Sequence, residues 1–309
     1  MSSKKIMVFG GTGFYGRQVV KSLLDLGQSV KVMSRSSQKA RQILGEQVAI
    51  FEGDVTNHSD IVNSLKDVKA IVLCLSAVNF KLIRKRQQIE RDAVLDIMEE
   101  AEKAGIERLV YFSGYEMRPE VLKTLKIPDF GSIMMEIEGE IKRSAFNWTI
   151  LGAPPSFEVF FAFLRNGKLA VPGGGKNPIP TVSPFDVGKI AAQTVLRTNL
   201  AGKRIRMPGP QANSFPEVAK KMSAITGQKV KHIAIPITAI RIVSILAYPF
   251  TPFPRFLYKS LKLLNNFPED LIEKVPDDHQ FLLENFDYEP ITLERAIQEK
   301  LIAEQAEDS

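Results

Sequence analysis

One cysteine in 309 residues leaves no partner for an internal disulfide and no thiol pair for a zinc site. That thiol, Cys74, lies in an apolar strand run and reads as core, and such sparing use of cysteine fits a reducing compartment; cytoplasm is the expected location. Three histidines, His58, His232 and His279, share no metal-ligand spacing with a carboxylate. They read as loop or surface residues, and no metal is expected. Long hydrophobic runs are also missing. The most apolar stretch, 233–250, contains Pro236, Arg241 and Pro249, which excludes a membrane span but leaves peripheral contact at the inner face of a membrane open. The opening MSSKKIMVFGG reaches a glycine turn after four apolar residues, too short for a signal-peptide core.

Acidic residues are nearly absent from one region. Between Gly202 and Leu264 there are eleven Lys and Arg against one acid, Glu217, whereas Glu269 to Ser309 carries thirteen acids against three bases. Two readings stand: solvated faces that partly neutralise each other, or a basic surface for an anionic partner. No nucleic-acid module is recognisable, and the aromatics of the basic region alternate with prolines, so a nucleic-acid partner is not expected.

What is present is a soluble-protein composition, 44% hydrophobic and 25% charged, long enough for one large α/β domain or a domain with a smaller appendage. Lys5 to Phe9 is a short apolar run with strand character. Phe14 to Leu26 then places Val19, Val20, Leu23, Leu24 and Leu26 at helical spacing, and Ser29 to Ser34 supplies a second strand. Gly10, Gly13 and Gly16 sit between them where a dinucleotide fold needs a tight turn, an approach for a pyrophosphate and close helix packing. The turn Gly10, Thr12, Gly13, Phe14, Tyr15 and Gly16 is therefore a candidate phosphate cradle at a helix N-terminus.

The end of the second strand reads Met33-Ser34-Arg35-Ser36, with Lys39 following and no carboxylate between Asp25 and Glu46. An acid there would take a ribose 2′-hydroxyl, whereas Arg35 accommodates a 2′-phosphate, so NADP(H) is favoured and NAD(H) remains possible. Further strand-like runs at 48–51, 69–75, 108–112 and 148–151 alternate with helical stretches at 89–104 and 132–144. Such alternation predicts an α/β fold, a doubly wound parallel sheet of the Rossmann kind. Its ligands would lie beyond the carboxyl ends of the strands, beside Arg35, Asp54, Val55, Leu75, Ser76, Ala77 and Ser113.

GGTGFYGR, EGDVTN, AGIERLVYFSG, WTILGAP and PGGGKNPIPTVSPFDVGKIAA, in this order, resemble the atypical short-chain dehydrogenase/reductases. The resemblance extends to the NmrA-like branch and to the NAD(P)-binding accessory subunit of respiratory complex I. The resemblance covers roughly 5–236, and FDYEPITLERAI is similar to the end of such chains. It implies a dinucleotide-binding core over 1–152 and a mixed part over 153–309, in which 184–207 returns to the core and the rest, a smaller helical lobe, meets substrate or partner. It also implies that Asp54 and Val55 contact adenine and that Leu75, Ser76 and Ala77 pass under its ribose. Active members carry a YxxxK pair in the sixth helix. Aligning ExxIKRSxxxWTI from Glu138 to Ile150 puts the Lys position at Met134, beside the nicotinamide ribose, and the Tyr position at Phe130; neither side chain transfers a proton. Ser113 stays near the family's serine, and Tyr115 is a candidate for a displaced acid; the catalytic residues are otherwise unknown.

Three other features have plain readings beside sharper ones. Glu136, Glu138 and Glu140 read as a solvated helix face rather than a carboxylate dyad. The run 172–175 lacks the GKS/T of a Walker loop, and the resemblance places a similar turn by the substrate cleft. Two basic amphipathic helices are expected from Ile237 and after YPFTPFP; they would either close an apolar pocket or lie on a membrane or protein partner. The function these observations predict is NAD(P)(H) binding with sensory, assembly or accessory duty. The alternative is an NADPH-dependent oxidoreductase of a small apolar molecule, with a displaced proton donor or none.

Overall fold

The computed structural model describes residues 4–302. Strand β1 (Lys5–Phe9) enters the interior at once, with Ile6 to Phe9 buried on both faces. That is the pattern of a parallel strand covered by helices on both sides. The chain then alternates: α1 (Gly16–Asp25), β2 (Val30–Ser34), α2 (Ser37–Leu44), β3 (Ala49–Glu52), α3 (His58–Ser64), β4 (Val68–Leu73), α4 (Ala93–Lys103), β5 (Arg108–Gly114), α5 (Pro119–Thr124), α6 (Ser132–Arg143) and β6 (Asn147–Ala153). A five-residue π-turn, Gln88–Asp92, precedes α4.

After β6 come α7 (Glu158–Phe161), the short strands β7 (Leu164–Arg165), β8 (Lys168–Pro172) and β9 (Ile179–Pro180), and then α8 (Pro184–Leu196) and β10 (Lys203–Arg206). Strand β10 pairs in parallel with β6 and completes a seven-stranded sheet of order β10-β6-β5-β4-β1-β2-β3. Buried Arg108 ties this seam, donating to Thr149 Oγ1 and to the carbonyls of Asn147, Thr194 and Val195. Burial pulls its pKa down to about 10.

The remaining elements are β11 (Ala212–Asn213), α9 (Phe215–Thr226), β12 (Lys231–Ile235), α10 (Ile237–Leu246), α11 (Phe253–Leu264), α12 (Glu269–Glu273), α13 (Val275–Asn285) and α14 (Leu293–Ile297). Two apolar cores cover the two faces of the large sheet, one under α1 and α8 and one under α4 and α6. A third core joins Phe160 and Phe215, whose rings meet edge-on at 4.9 Å, with Leu293 and Ile297 of α14. Each such buried aromatic or aliphatic side chain contributes about 1.5–3 kcal/mol.

The acidic segment that begins at Glu269 is therefore not a free tail over its described part, and residues 303–309 with their three acids lie outside the described residues. Asp278 binds Arg206, Glu294 binds Lys221 and Asp270 binds Arg118, so these charges neutralise bases elsewhere in the chain. No helix among the described residues is long and apolar enough to cross a membrane.

Candidate functional site

The strand order reverses between β1 and β4, and a crevice outside the carboxyl ends of the strands belongs at such a point. The turn after β1 is packed too tightly for any side chain at two positions. Gly10 has φ +80°, and a Cβ there would stand 2.5 Å from the Cys74 carbonyl oxygen; one on Gly16 would stand 2.1 Å from that of Gly10. Gly13 N–H closes the turn on Gly10 O at 2.9 Å. No side chain caps α1, which leaves its positive end available to an anion. Phe14 and Gly13 are exposed and Thr12 is half-buried. Tyr15 turns the other way: its ring stacks on Phe112 at 6.2 Å and its hydroxyl donates to the Pro154 carbonyl.

Arg35 stands exposed one residue past β2. The register of β3 against β2 pairs Ser34 with Glu52, and the Glu52 carboxylate accepts the Ser37 backbone N–H at 2.8 Å, at the first turn of α2. This bond holds the Glu52 carboxyl below its ordinary range. The sequence showed no acid on β2 itself; the neighbouring strand supplies one. Asp54 follows, accepting from Thr56 N and Oγ1 at 2.9 and 2.8 Å. Burial would raise its carboxyl, but those bonds, with Arg35 and Lys85 nearby, bring it below the usual range. Val55 packs half-buried on the core under α4.

Past β4, Leu75 packs on that same core, Ser76 is exposed and Ala77 is buried. The Ala77 N–H donates to Glu90 Oε1 at 2.8 Å, and Arg86 Nε donates to Glu90 Oε2 at 2.6 Å. A buried carboxylate in the π-turn thus fixes the backbone that passes beneath the crevice, a role nothing in the local sequence announces.

At β5 the side chains near the expected nicotinamide position are all engaged. Ser113, nearly buried, donates its hydroxyl to Glu138 Oε1 at 2.6 Å. Arg204 of β10 binds the same carboxylate through Nε at 3.0 Å and donates to the carbonyls of Gly114 and Tyr115 at 2.8 Å. Burial alone would raise Glu138, but Arg204 and then Ser113 hold it below the ordinary carboxylate range. Tyr115 is buried, and its hydroxyl donates to Asp278 Oδ2 at 3.1 Å. Desolvation and that carboxylate push the phenol far above its usual pKa. A ladder of Arg118, Glu116, Arg206 and Asp278 continues from there.

Phe130 is buried, its ring 5.4 Å from Phe256 of α11, and Arg86 lies over the other ring at 5.0 Å. Met134 presents its sulfur to Gly114, where an added Cβ would meet it at 3.3 Å. Helix α11 is pinned across this cluster at its middle and at its C-terminal end. Lys259 pairs with Asp129, and Asn265 threads its amide into the glycine run, accepting from Gly175 N at 2.8 Å and donating to Pro172 O at 3.0 Å. A Cβ on Gly173 would strike that amide at 2.5 Å, so the run is a clamp for α11.

Other expectations resolve individually. Glu136, Glu138 and Glu140 bind Arg91, Arg204 and Arg143 respectively, three separate ion pairs. His58 is exposed, 3.3 Å from Asp96, and His232 sits half-buried in β12 with Nε2 2.7 Å from Gly174 O. His279 corrects the surface reading: it is buried in α13 with Nδ1 3.3 Å from Pro208 O, because that face of α13 packs on the chain after β10. Cys74 is half-buried one residue beyond β4. Among the described residues no three or more His, Cys, Asp or Glu side chains gather as a metal site.

A parallel sheet with a glycine-turned switch point defines a Rossmann-type protein of the atypical short-chain dehydrogenase/reductase class. The chain belongs to the NmrA-like family, whose profile matches residues 2–294. It is 24% identical over 269 residues to the photosystem II assembly factor Ycf39 of Synechocystis sp., covering 83% of this chain and 77% of that one. With the NAD(P)H azoreductase of Xenophilus azovorans it shares 25% identity over 237 residues, 74% and 77% of the two chains. The crystal structure of the Citrobacter sp. triphenylmethane reductase matches with a TM-score of 0.74 at 18% identity, over 96% of this chain and 99% of that one. One fold thus carries an assembly factor and two reductases, and function has to be argued from the site.

Proposed function

We propose that the chain binds NADP(H), or NAD(H), along the carboxyl edge of its large sheet and serves a sensory, assembly or accessory role rather than acid/base-assisted reduction. The Gly10–Gly16 turn and the uncapped α1 fit a pyrophosphate, exposed Arg35 fits a 2′-phosphate, and Asp54, Val55 and 75–77, just past β3 and β4, would meet adenine and its ribose. When bound, such a cofactor supplies a hydride. What this chain withholds is a proton: Phe130 and Met134 have none to give, Ser113 is spent on Glu138, and Tyr115 is spent on Asp278. That set of engaged side chains carries the reading. The Ycf39 likeness supports an assembly role, and the part beyond residue 153, apart from 184–207 of the core, would then be the face that meets a partner. Calorimetric binding of NADPH together with negligible NADPH oxidation in the presence of aldehydes, ketones or quinones is the expected result.

A second reading has its own support. Leu122, Ile127 and Phe130 form an apolar cluster with Met117, Met135 and Phe256 beside the expected nicotinamide position. A small apolar hydride acceptor that takes its proton from water would suit those apolar neighbours, and two similar proteins bear reductase names. Turnover of a quinone that survives Tyr115→Phe and Ser113→Ala would favour it.

A further inference from the structure

Helix α10 is folded with its apolar side outward. At 3.6 residues per turn, Ile242, Val243, Ile245 and Leu246 occupy one arc, and Ser244 points away from its centre. Ser244 is the buried residue, and all four aliphatics are exposed, Leu246 by 70%. The inner side of the helix carries half-buried Ile237, Ile240 and Ala247 beside Ser244, while Thr238, Arg241 and Tyr248 are exposed alongside the aliphatic arc. Continuing past the helix, Phe250 is 83% exposed and Tyr248 is also exposed.

The loop after β4 joins this surface. Arg84 donates to the carbonyls of Pro249 and Phe250 at 2.9 and 3.0 Å, and Phe80, 66% exposed, meets Phe253 edge-on at 6.5 Å. Arg255 lies over the Tyr248 ring at 5.0 Å. Bases border the apolar arc: Lys81 and Arg84 on the loop, and Arg241 and Arg255 on the hairpin. None of the four is in an ion pair, although Arg255 stands near Asp129, whereas Arg204, Arg206, Lys221 and Lys259 all are. No acid occurs in 78–89 or in 218–268. Asp129, the carboxylate that approaches α11, is held by Lys259.

We infer that this face, built from α10, the turn 247–252 and the loop around Phe80, docks on an anionic lipid bilayer. Exposed aliphatics and aromatics ringed by unpaired bases match a surface that is apolar within and negative at its headgroups. With no spanning helix among the described residues, the chain would lie on the bilayer with α10 in the interfacial plane. The inference is independent of what the crevice binds.

The full-length chain is mixed with vesicles of phosphatidylcholine, with and without 30% phosphatidylglycerol, at low and physiological salt, and the bound fraction is read by co-sedimentation. Partition onto the anionic vesicles is expected to exceed that onto neutral ones at least tenfold at low salt and to fall as salt is added. Arg241→Gln with Lys81→Gln should weaken it roughly 25-fold, about fivefold per base. Leu246→Asp with Ile242→Asp should abolish it while leaving the circular-dichroism spectrum and NADPH affinity unchanged. Phe250→Ser, outside any helix, should weaken it with no route through misfolding. Equal binding to both vesicle types, or no binding of the parent at low salt, overturns the inference. So does a parent dimer that Leu246→Asp dissociates, because a second copy would then cover the face.

Discussion

The rings of Phe130 and Phe256 meet at 5.4 Å with a 43° tilt. Where family resemblance puts the proton-donating tyrosine, this protein has an aromatic contact between α11 and the start of α6. The contact is a joint that holds the C-terminal hairpin against the chain before α6. Phe130→Ala should therefore cost about 3 kcal/mol of unfolding free energy in urea titrations. A change below about 1 kcal/mol would mean that the contact does not hold α11.

The second joint is polar. Removing the carboxylate in Glu138→Ala strands Arg204 and the Ser113 hydroxyl in a largely buried setting, at an expected cost of about 3 kcal/mol. Ser113→Ala removes one neutral donor from the same carboxylate and should cost about 1 kcal/mol. Equal effects of the two would show that Arg204 is satisfied without Glu138.

On the proposed reading, cofactor choice would rest on Arg35 against Glu52. Arg35→Glu is expected to weaken NADPH binding at least tenfold in calorimetry and leave NADH nearly unchanged. Glu52→Gln removes the negative charge from the first turn of α2 and should tighten NADPH severalfold relative to NADH. If neither variant moves the NADPH to NADH ratio, this edge of the sheet does not read the 2′ position.

Stability should depend on pH through Asp186, buried in the first turn of α8. Its Oδ2 accepts from Ile291 N at 2.9 Å, while Oδ1 has no partner. Desolvation pushes its pKa up to about 7, and the Ile291 bond only partly opposes this. A raised pKa means that the folded state holds the proton more tightly than the unfolded one. The contribution is complete below about pH 4 and is lost as pH rises through about 7, amounting to roughly 3–4 kcal/mol. Asp186→Asn should flatten that fall in urea midpoints measured from pH 4.5 to 8. An unchanged slope in the variant would assign the dependence elsewhere.

The fold was legible because strands of a parallel sheet are short apolar runs, and the helices between them carry a 3.6-residue period. The Gly10–Gly16 turn was legible because close packing leaves no alternative residue. What escaped was set by register and reach. Glu52 arrives beside α2 through strand pairing, Glu90 reaches back thirteen residues to Ala77, and Glu138 stands between two acids whose pairs are exposed. α10 is apolar around most of its circumference, so its pattern did not tell which side packs; Ser244 turned inward with half-buried Ile237 and Ile240.

The central claim is that the crevice binds a nicotinamide dinucleotide and offers no protein proton for reduction. The measurement that tests it most directly is NADPH oxidation, followed by absorbance with a panel of aldehydes, ketones and quinones, on protein whose NADPH affinity has been fixed by calorimetry. Binding with negligible oxidation is the predicted result. Robust turnover that disappears in Tyr115→Phe, with affinity intact, would contradict it, since the phenol now bound to Asp278 would then be the acid.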